Sequence, residues 1–484
     1  MHEDLTPVEK AGRRNTRRDI SLTLFALYVI GLYFVRRYNP DYPVIYTDIN
    51  EHFKYGSIGS ESANGIPYEI WRVLPEMFPE KLPGPGGYAS LGFVYEPDHE
   101  TPIGLARRKV YIDRLGMNCA ICHTGTVRTS PSAPRQIVLG MPANTFDLQA
   151  YFRFLADCAS DGRFTVDNVL RQIQTHRHLD PLDRLIYRIA IYETREILLQ
   201  RKQLVSFMDT RPDWGPGRVD TFDPYKTIQF NFPMANDHSV GTTDLPSIWN
   251  QTPRIGMHLH WDGNNDLLAE RDKSAALGAG VTPPTIDLAS IQRIENWLLD
   301  TLQPPPYPYP IDRNLAAKGA VLFRHYCAQC HAFGGERVGQ VTDIDEIGTD
   351  RHRLDSYTYE FAANMNLLYA GYPWRFTHFR KTNGYANMPL DGVWLRAPYL
   401  HNGSVPTLRD LLEPQENRPK VFYRGYDVYD PVRVGFLSDV ASEGRRHYFK
   451  YDTAQTGNGN GGHRYGTQLS DGEKNAIVEY LKTL

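Results

Sequence analysis

Four of the five cysteines in this chain fall into one pentapeptide pattern used twice, Cys119-Ala120-Ile121-Cys122-His123 and Cys327-Ala328-Gln329-Cys330-His331. Two cysteines three residues apart on a helical turn share a face and can add to the two vinyl groups of a porphyrin. The histidine that follows then sits under the ring, where its imidazole binds iron. A zinc ribbon also uses paired cysteines, but its pairs stand about 15–20 residues apart. These stand 208 apart, from 119 to 327. A redox disulfide would not require a histidine after each pair. The pattern therefore reads as two covalently bound c-type haems, with His123 and His331 as iron ligands. Cys158 is left over and reads as a small buried apolar side chain.

Thioether attachment takes place outside the cytoplasm in bacteria, and the N-terminus agrees with export. Ile20 to Val35 carries no charge, between Arg17-Arg18-Asp19 and Arg36-Arg37. As a helix it rises about 24 Å, slightly short of a ~30 Å hydrocarbon core, with tyrosine and arginine at the ends to reach the interface. The alternative is a cleaved signal peptide, but Arg36-Arg37-Tyr38-Asn39-Pro40 offers no small-x-small cleavage site, so residues 20–36 read as an uncleaved transmembrane anchor. Lys10, Arg13, Arg14, Arg17 and Arg18 precede it, against two arginines after it. That bias keeps residues 1–19 in the cytoplasm and sends the bulk of the chain into the periplasm, as a single-pass protein of a bacterial inner membrane. Fifty-three basic against 56 acidic residues, net −3, exclude the basic face that a nucleic-acid binder needs.

A chain of 484 residues is long enough for two or three domains. The fold class expected is mainly α: two c-type cytochrome domains with long loops, plus one N-terminal transmembrane helix. Helical spacing marks Leu148 to Leu155, Pro181 to Phe207 and Ile286 to Leu302, and a further helix starts at Asp312 or Asn314 and leads into the second cysteine pair. Ser470 and Glu473 cap a final helix. Gln303-Pro304-Pro305-Pro306-Tyr307-Pro308-Tyr309-Pro310 cannot be helical. The boundary is placed there: an N-terminal haem domain over 37–302, a Pro-rich linker over 303–310 and a C-terminal haem domain over 311–484.

Three further blocks resemble the bacterial di-haem cytochrome c peroxidase superfamily, with wording closest to its rubber-oxygenase-like branch. They are Asp244-Leu245-Pro246-Ser247-Ile248-Trp249-Asn250 followed by Trp261-Asp262-Gly263, then Ala397-Pro398-Tyr399-Leu400-His401-Asn402-Gly403-Ser404-Val405, and the tail from His463 to Ser470. The resemblance implies that Trp261 lies between the two irons as an electron bridge. It also implies that the tail supplies the far ligand of the second haem.

Three residues compete for that far position: Met388, His401 and His463. His463 follows the glycine-rich loop 457–462, which allows close approach to a porphyrin, and is favoured. His401, in a rigid turn, reads as a hydrogen-bonding partner at a haem edge. Bis-histidine ligation would close the second iron and suit an electron relay. At the first iron, Met141 could bind weakly or simply pack. The superfamily's peroxidases carry a glutamate about twenty residues beyond the tryptophan, whereas Ser274 to Thr282 holds no carboxylate. That places ordinary peroxide chemistry in doubt and points to an apolar pocket. His258 or His260 could supply a polar group there. If the segment is extended, only one of His260 and Trp261 faces the gap. Asp237-His238 reads as a loop pair, either part of the site or a solvated turn.

Two functions lead on these residues, beside a third that the resemblance leaves open, a maturation enzyme acting on a side chain of a partner protein. In the first, a six-coordinate second haem relays electrons and a first haem activates O2 or hydrogen peroxide to oxidise a small substrate, with Trp261 and His260 as the catalytic candidates. In the second, the chain is a membrane-tethered electron carrier. Either would exchange electrons with a donor or acceptor protein or a quinone pool.

Overall fold

The structure, a computed structural model, describes residues 7–38 and 41–484, with the side chains of 7–15 and of Tyr42 left aside. The start of the expected cytoplasmic tail, the side chains of Lys10, Arg13 and Arg14, and Asn39-Pro40 lie outside the described residues. One helix, Pro7–Tyr38, opens the chain. Within it Thr16–Tyr38 is, among the described residues, the one helical stretch long and apolar enough to cross a membrane, and it is exposed as far as Arg36.

The helical expectations hold at Leu148–Ser160, Pro181–Leu204, Leu288–Asp300, Arg313–Tyr326 and Asp471–Leu481. Their starts have local causes. The Asp180 side chain accepts from the Leu182 and Asp183 amides, Asp312 does the same for Asn314 and Leu315, and Ser470 with Glu473 forms a capping box.

The class is mixed helix and sheet, 43% helical, rather than mainly α. The strands are two to six residues long and form an antiparallel four-stranded sheet and six two-stranded ladders among the described residues. They escaped the reading because they are short and polar. In the largest pair, Leu105–Val110 against Ile112–Met117, arginine, lysine and aspartate occupy five of the twelve positions, so no two-residue hydrophobic alternation develops.

Three large apolar clusters fill the interior. One, from Tyr68 to Leu198, belongs to the N-terminal half. A second joins Phe53, Trp297 and Leu298 to Tyr357, Phe361, Phe376 and Phe379. A third joins Val127, Met141 and Trp249 to Phe323, Trp394 and Ile477. The proline-rich segment between the halves is itself packed. The Tyr307 hydroxyl donates to the Pro431 carbonyl at 2.7 Å, and the Trp394 indole donates to the Pro305 carbonyl at 3.1 Å.

The fold positions each cysteine motif differently. The first begins two residues after strand Ile112–Met117, where Asn118 caps a short helical turn. It ends at the hairpin Thr124–Val127/Gln136–Leu139, with Gly140 N–H donating back to the His123 carbonyl. The second continues from helix Arg313–Tyr326, which crosses the C-terminal helix Asp471–Leu481 at Gly319. A Cβ at Gly319 would stand 1.8 Å from the Ala476 carbonyl oxygen, so only glycine permits this approach.

Candidate functional site

Both motif histidines are held the same way. His123 Nδ1 lies 2.9 Å from the Pro246 carbonyl and His331 Nδ1 lies 2.7 Å from the Met388 carbonyl. A carbonyl only accepts, so each Nδ1 carries the proton and each Nε2 keeps its lone pair for a metal. Burial pushes the His123 imidazole down to about 4 and lowers His331 as well, which keeps both neutral and able to ligate. Burial likewise raises the Cys119 and Cys122 thiols to about 12. All four motif cysteines are free of disulfides.

Opposite His331 stands His463. The two ring centroids are 6.1 Å apart. That is the span of two metal–imidazole bonds of about 2.0–2.1 Å plus the half-width of each ring. Burial takes the His463 imidazole down to about 3, and its Nδ1 is enclosed without a hydrogen-bond partner.

The loop that presents His463 is built around glycine and one arginine. Gly462 has φ +72°, and a Cβ there would stand 2.3 Å from the Gly348 carbonyl carbon. His463 N–H donates to the Ile347 carbonyl at 2.8 Å. Arg418, 2% exposed, donates to the carbonyls of Asn460 at 2.6 Å, Gly462 at 3.0 Å and His463 at 3.3 Å. Asn402 holds the same loop through the Gly457 and Gly459 carbonyls. Arg418 was not foreseen. A buried guanidinium that serves only carbonyls has no signature in sequence.

The other two contenders have different partners. Met388 lends its backbone carbonyl to His331, the histidine facing His463. The His401 ring stacks on Tyr385 at 4.0 Å with its Nε2 2.9 Å from the Tyr385 hydroxyl, and burial lowers it to about 3. Its carbonyl accepts from the Asp244 amide at 2.8 Å.

Trp261 is part-buried among Ile344, Ile347, Leu354 and Tyr385. Its indole N–H donates to the Asp244 carbonyl at 2.7 Å, and its own carbonyl accepts from the Ala386 amide at 2.8 Å. The Asp244 carboxylate is ion-paired to buried Arg424. Next to Trp261, Asp262 pairs with buried Arg353 at 2.9 Å.

The segment around Trp261 is a tight loop rather than extended chain. Leu259 bridges Asn265, and His260 has φ +62°. His260 and Trp261 therefore do not alternate across a strand. His260 turns to Asn264 Oδ1, 2.5 Å from its Nδ1, and lies near the Phe379 ring, with burial lowering its affinity for a proton. His258 faces the Gly263 carbonyl at 3.1 Å.

Met141 is fully buried in the cluster of Val127 and Trp249, and its sulfur packs over Gly125. Cys158 is also fully buried, in the first cluster. The Asp237 carboxylate accepts from Lys226 at 2.8 Å and from Ser239. The stretch 274–282 lies at the end of helix Leu268–Gly278, whose earlier turn carries Glu270 and Asp272. Glu270 turns away to cap the Thr377 and His378 amides. Asp272 pairs with Arg271 at 2.7 Å and acts on the Cys119 thiol through its charge. Extending the helical period back from Ser274 would have revealed both carboxylates.

Residues 384–423, which carry Tyr385, Met388 and His401, match the family model described as RoxA-like, cytochrome c-like. That match supports a haem cofactor. The chain is similar to two uncharacterized proteins of Sinorhizobium fredii (strain NBRC 101917 / NGR234). It is 35% identical to y4iM over 285 residues, 50% of this chain and 64% of that protein. It is 25% identical to y4iJ over 96% of this chain and 98% of that one. The chain thus spans less than two thirds of the length of y4iM.

Proposed function

We propose that this chain is a membrane-anchored di-haem oxidoreductase of the periplasmic face, related to the di-haem peroxidase superfamily. One c-type haem is attached at Cys119 and Cys122 in the 37–302 half, the other at Cys327 and Cys330 in the 311–484 half. The observation that carries the reading is the pairing of imidazoles at one motif alone. His331 faces His463 at 6.1 Å. Among the described residues no ring stands opposite His123 in this way.

Haem bound at both motifs supplies one-electron redox chemistry, together with O2 or peroxide activation where iron keeps an open position. The chain's residues sort around that difference. His331 and His463 close the second site, which favours electron relay. His123, held by the Pro246 carbonyl and without a facing imidazole, is the better candidate to serve a site that a small molecule can reach. Met141, buried and packed over Gly125, is read as a packing side chain, which supports an open first site. Trp261 stands between the backbone segments that hold the two motif histidines, and supports electron exchange between them. His260, neutral and bonded to Asn264, is the polar group on the Trp261 loop. The apolar helix Thr16–Tyr38 supports a single-pass anchor. The electron partner is then a periplasmic protein or the quinone pool.

Adding CO to the dithionite-reduced chain tests this reading. Spectral change in one haem of the two supports an open site beside a closed one. No change in either would favour the tethered carrier, and change in both would remove the relay assignment.

A further inference from the structure

Two stretches of backbone hold the motif histidines, one around Pro246 and one around Met388. Trp261 ties them together two residues ahead of each carbonyl, at Asp244 and Ala386. A second tie lies on the far side of both carbonyls. Trp249 follows Pro246 by three positions, and its indole N–H donates at 3.1 Å to the carbonyl of Asp391, three positions past Met388.

This second tie is the more enclosed of the two. Trp249 is 0% exposed, whereas Trp261 is part-buried. Two glycines with positive φ approach its ring. A Cβ at Gly392, next to Asp391, would stand 2.8 Å from Cζ2, and one at Gly140 would stand 3.6 Å from Cε3. Gly140 is itself bonded to the first motif. Its N–H donates to the His123 carbonyl at 2.8 Å, and its carbonyl accepts from the Ile248 amide at 2.9 Å. Towards the second motif, the Asp391 carboxylate accepts from Asn250 at 2.9 Å and from Arg254 and Arg396. Arg396 also donates to the Pro389 carbonyl at 2.8 Å. The apolar cluster around Trp249 takes in Cys327 of the second motif. A buried indole needs one acceptor, whatever its origin. This one takes it from the segment that holds the other motif's histidine.

We propose that Trp249 is a second electron path between the two haem sites, in parallel with Trp261. Electronic coupling falls less steeply along covalent and hydrogen bonds than across a packing gap, and this route is bonded at both ends. It runs from His123 through the Pro246 carbonyl and the 246–249 backbone into the indole. From the indole N–H it continues through Asp391 and the 388–391 backbone to His331. A single electron passes from the reduced iron to the oxidised one. Trp249 is neither oxidised nor deprotonated, its N–H staying on the Asp391 carbonyl. The path rests on the di-haem reading.

The test follows electron equilibration in the half-reduced full-length chain by stopped-flow spectroscopy. Trp249→Phe added to the Trp261→Phe chain should slow equilibration a further severalfold, with both haem spectra and both midpoint potentials unchanged. Where Trp249→Phe fails to fold, 3-benzothienylalanine in place of Trp249 keeps the ring shape, removes the N–H and should slow equilibration likewise. Equal rates in the singly and doubly substituted chains would overturn the path and leave the di-haem reading standing. Slowing accompanied by shifted spectra or potentials would overturn it too, assigning Trp249 to the packing of the histidine-holding loops. Fewer than two haems on the unaltered chain would overturn the di-haem reading, and the path with it.

Discussion

Trp261 and His331 are joined through three residues of backbone: the Trp261 carbonyl accepts from the Ala386 amide, and the carbonyl of Met388, two residues on, accepts from His331 Nδ1. The same relation holds on the other side. The Trp261 indole donates to the Asp244 carbonyl, and Pro246, two residues on, holds His123. One tryptophan is therefore hydrogen-bonded into both segments that hold the motif histidines, through its indole on one side and its backbone carbonyl on the other.

Trp261→Phe removes the indole donor while keeping an aromatic ring. Electron equilibration between the two haems after half-reduction should slow severalfold, measured by stopped-flow spectroscopy. Stability should fall by about 1 kcal/mol, the typical worth of one hydrogen bond. Unchanged equilibration would remove Trp261 from the path.

His463→Ala should turn the second haem partly high-spin and leave the first unaltered, read from the visible spectrum and electron paramagnetic resonance. His401→Ala should leave the second haem low-spin, because its ring is engaged with Tyr385. A low-spin His463→Ala chain beside a high-spin His401→Ala chain would reverse the assignment.

The two cysteine–histidine motifs were legible in sequence as a fixed local spacing used twice. The capped helices were legible too, through Asp180, Asp312, Ser470 and their periodic apolar faces. The Pro246 and Met388 carbonyls were not, since any residue type can offer a carbonyl. Nor was Arg418, which lies 45 residues from the histidine it positions. The short strands were missed for a related reason. Their pairing comes from loops brought together by tertiary packing rather than from their own alternation.

Arg424→Met strands the Asp244 carboxylate, 7% exposed, without its cation. Breaking a buried ion pair from one side costs about 3–5 kcal/mol. The denaturant midpoint should fall accordingly, whereas Arg188→Ala at the surface should change stability by less than about 0.5 kcal/mol.

Gly319→Ala should separate the two crossing helices of the C-terminal half and destabilise the chain by about 1–3 kcal/mol. Gly162→Ala is the control, since a Cβ there meets nothing within 4 Å. Thermal melts of the two variants should differ in just this order.

Acid stability should depend on Asp237. Burial alone would raise its affinity for a proton, but hydrogen bonds from Lys226 and Ser239 prevail and hold it at about 2, below its ordinary 3.8. A depressed carboxylate stabilises the fold above its unfolded value and loses that contribution as pH falls towards 2. Asp237→Asn should therefore reduce stability at pH 7 by up to about 2 kcal/mol and flatten the acid limb between about pH 4 and pH 2. Equal slopes in both chains would show that this loop takes no part in acid unfolding.

Two porphyrins bound through thioethers are expected on each chain. A pyridine haemochrome assay after acid–acetone extraction should find two equivalents retained per chain, falling to one in Cys327→Ala/Cys330→Ala. Extraction of all the haem into the organic phase, or a single equivalent on the unaltered chain, would contradict that expectation.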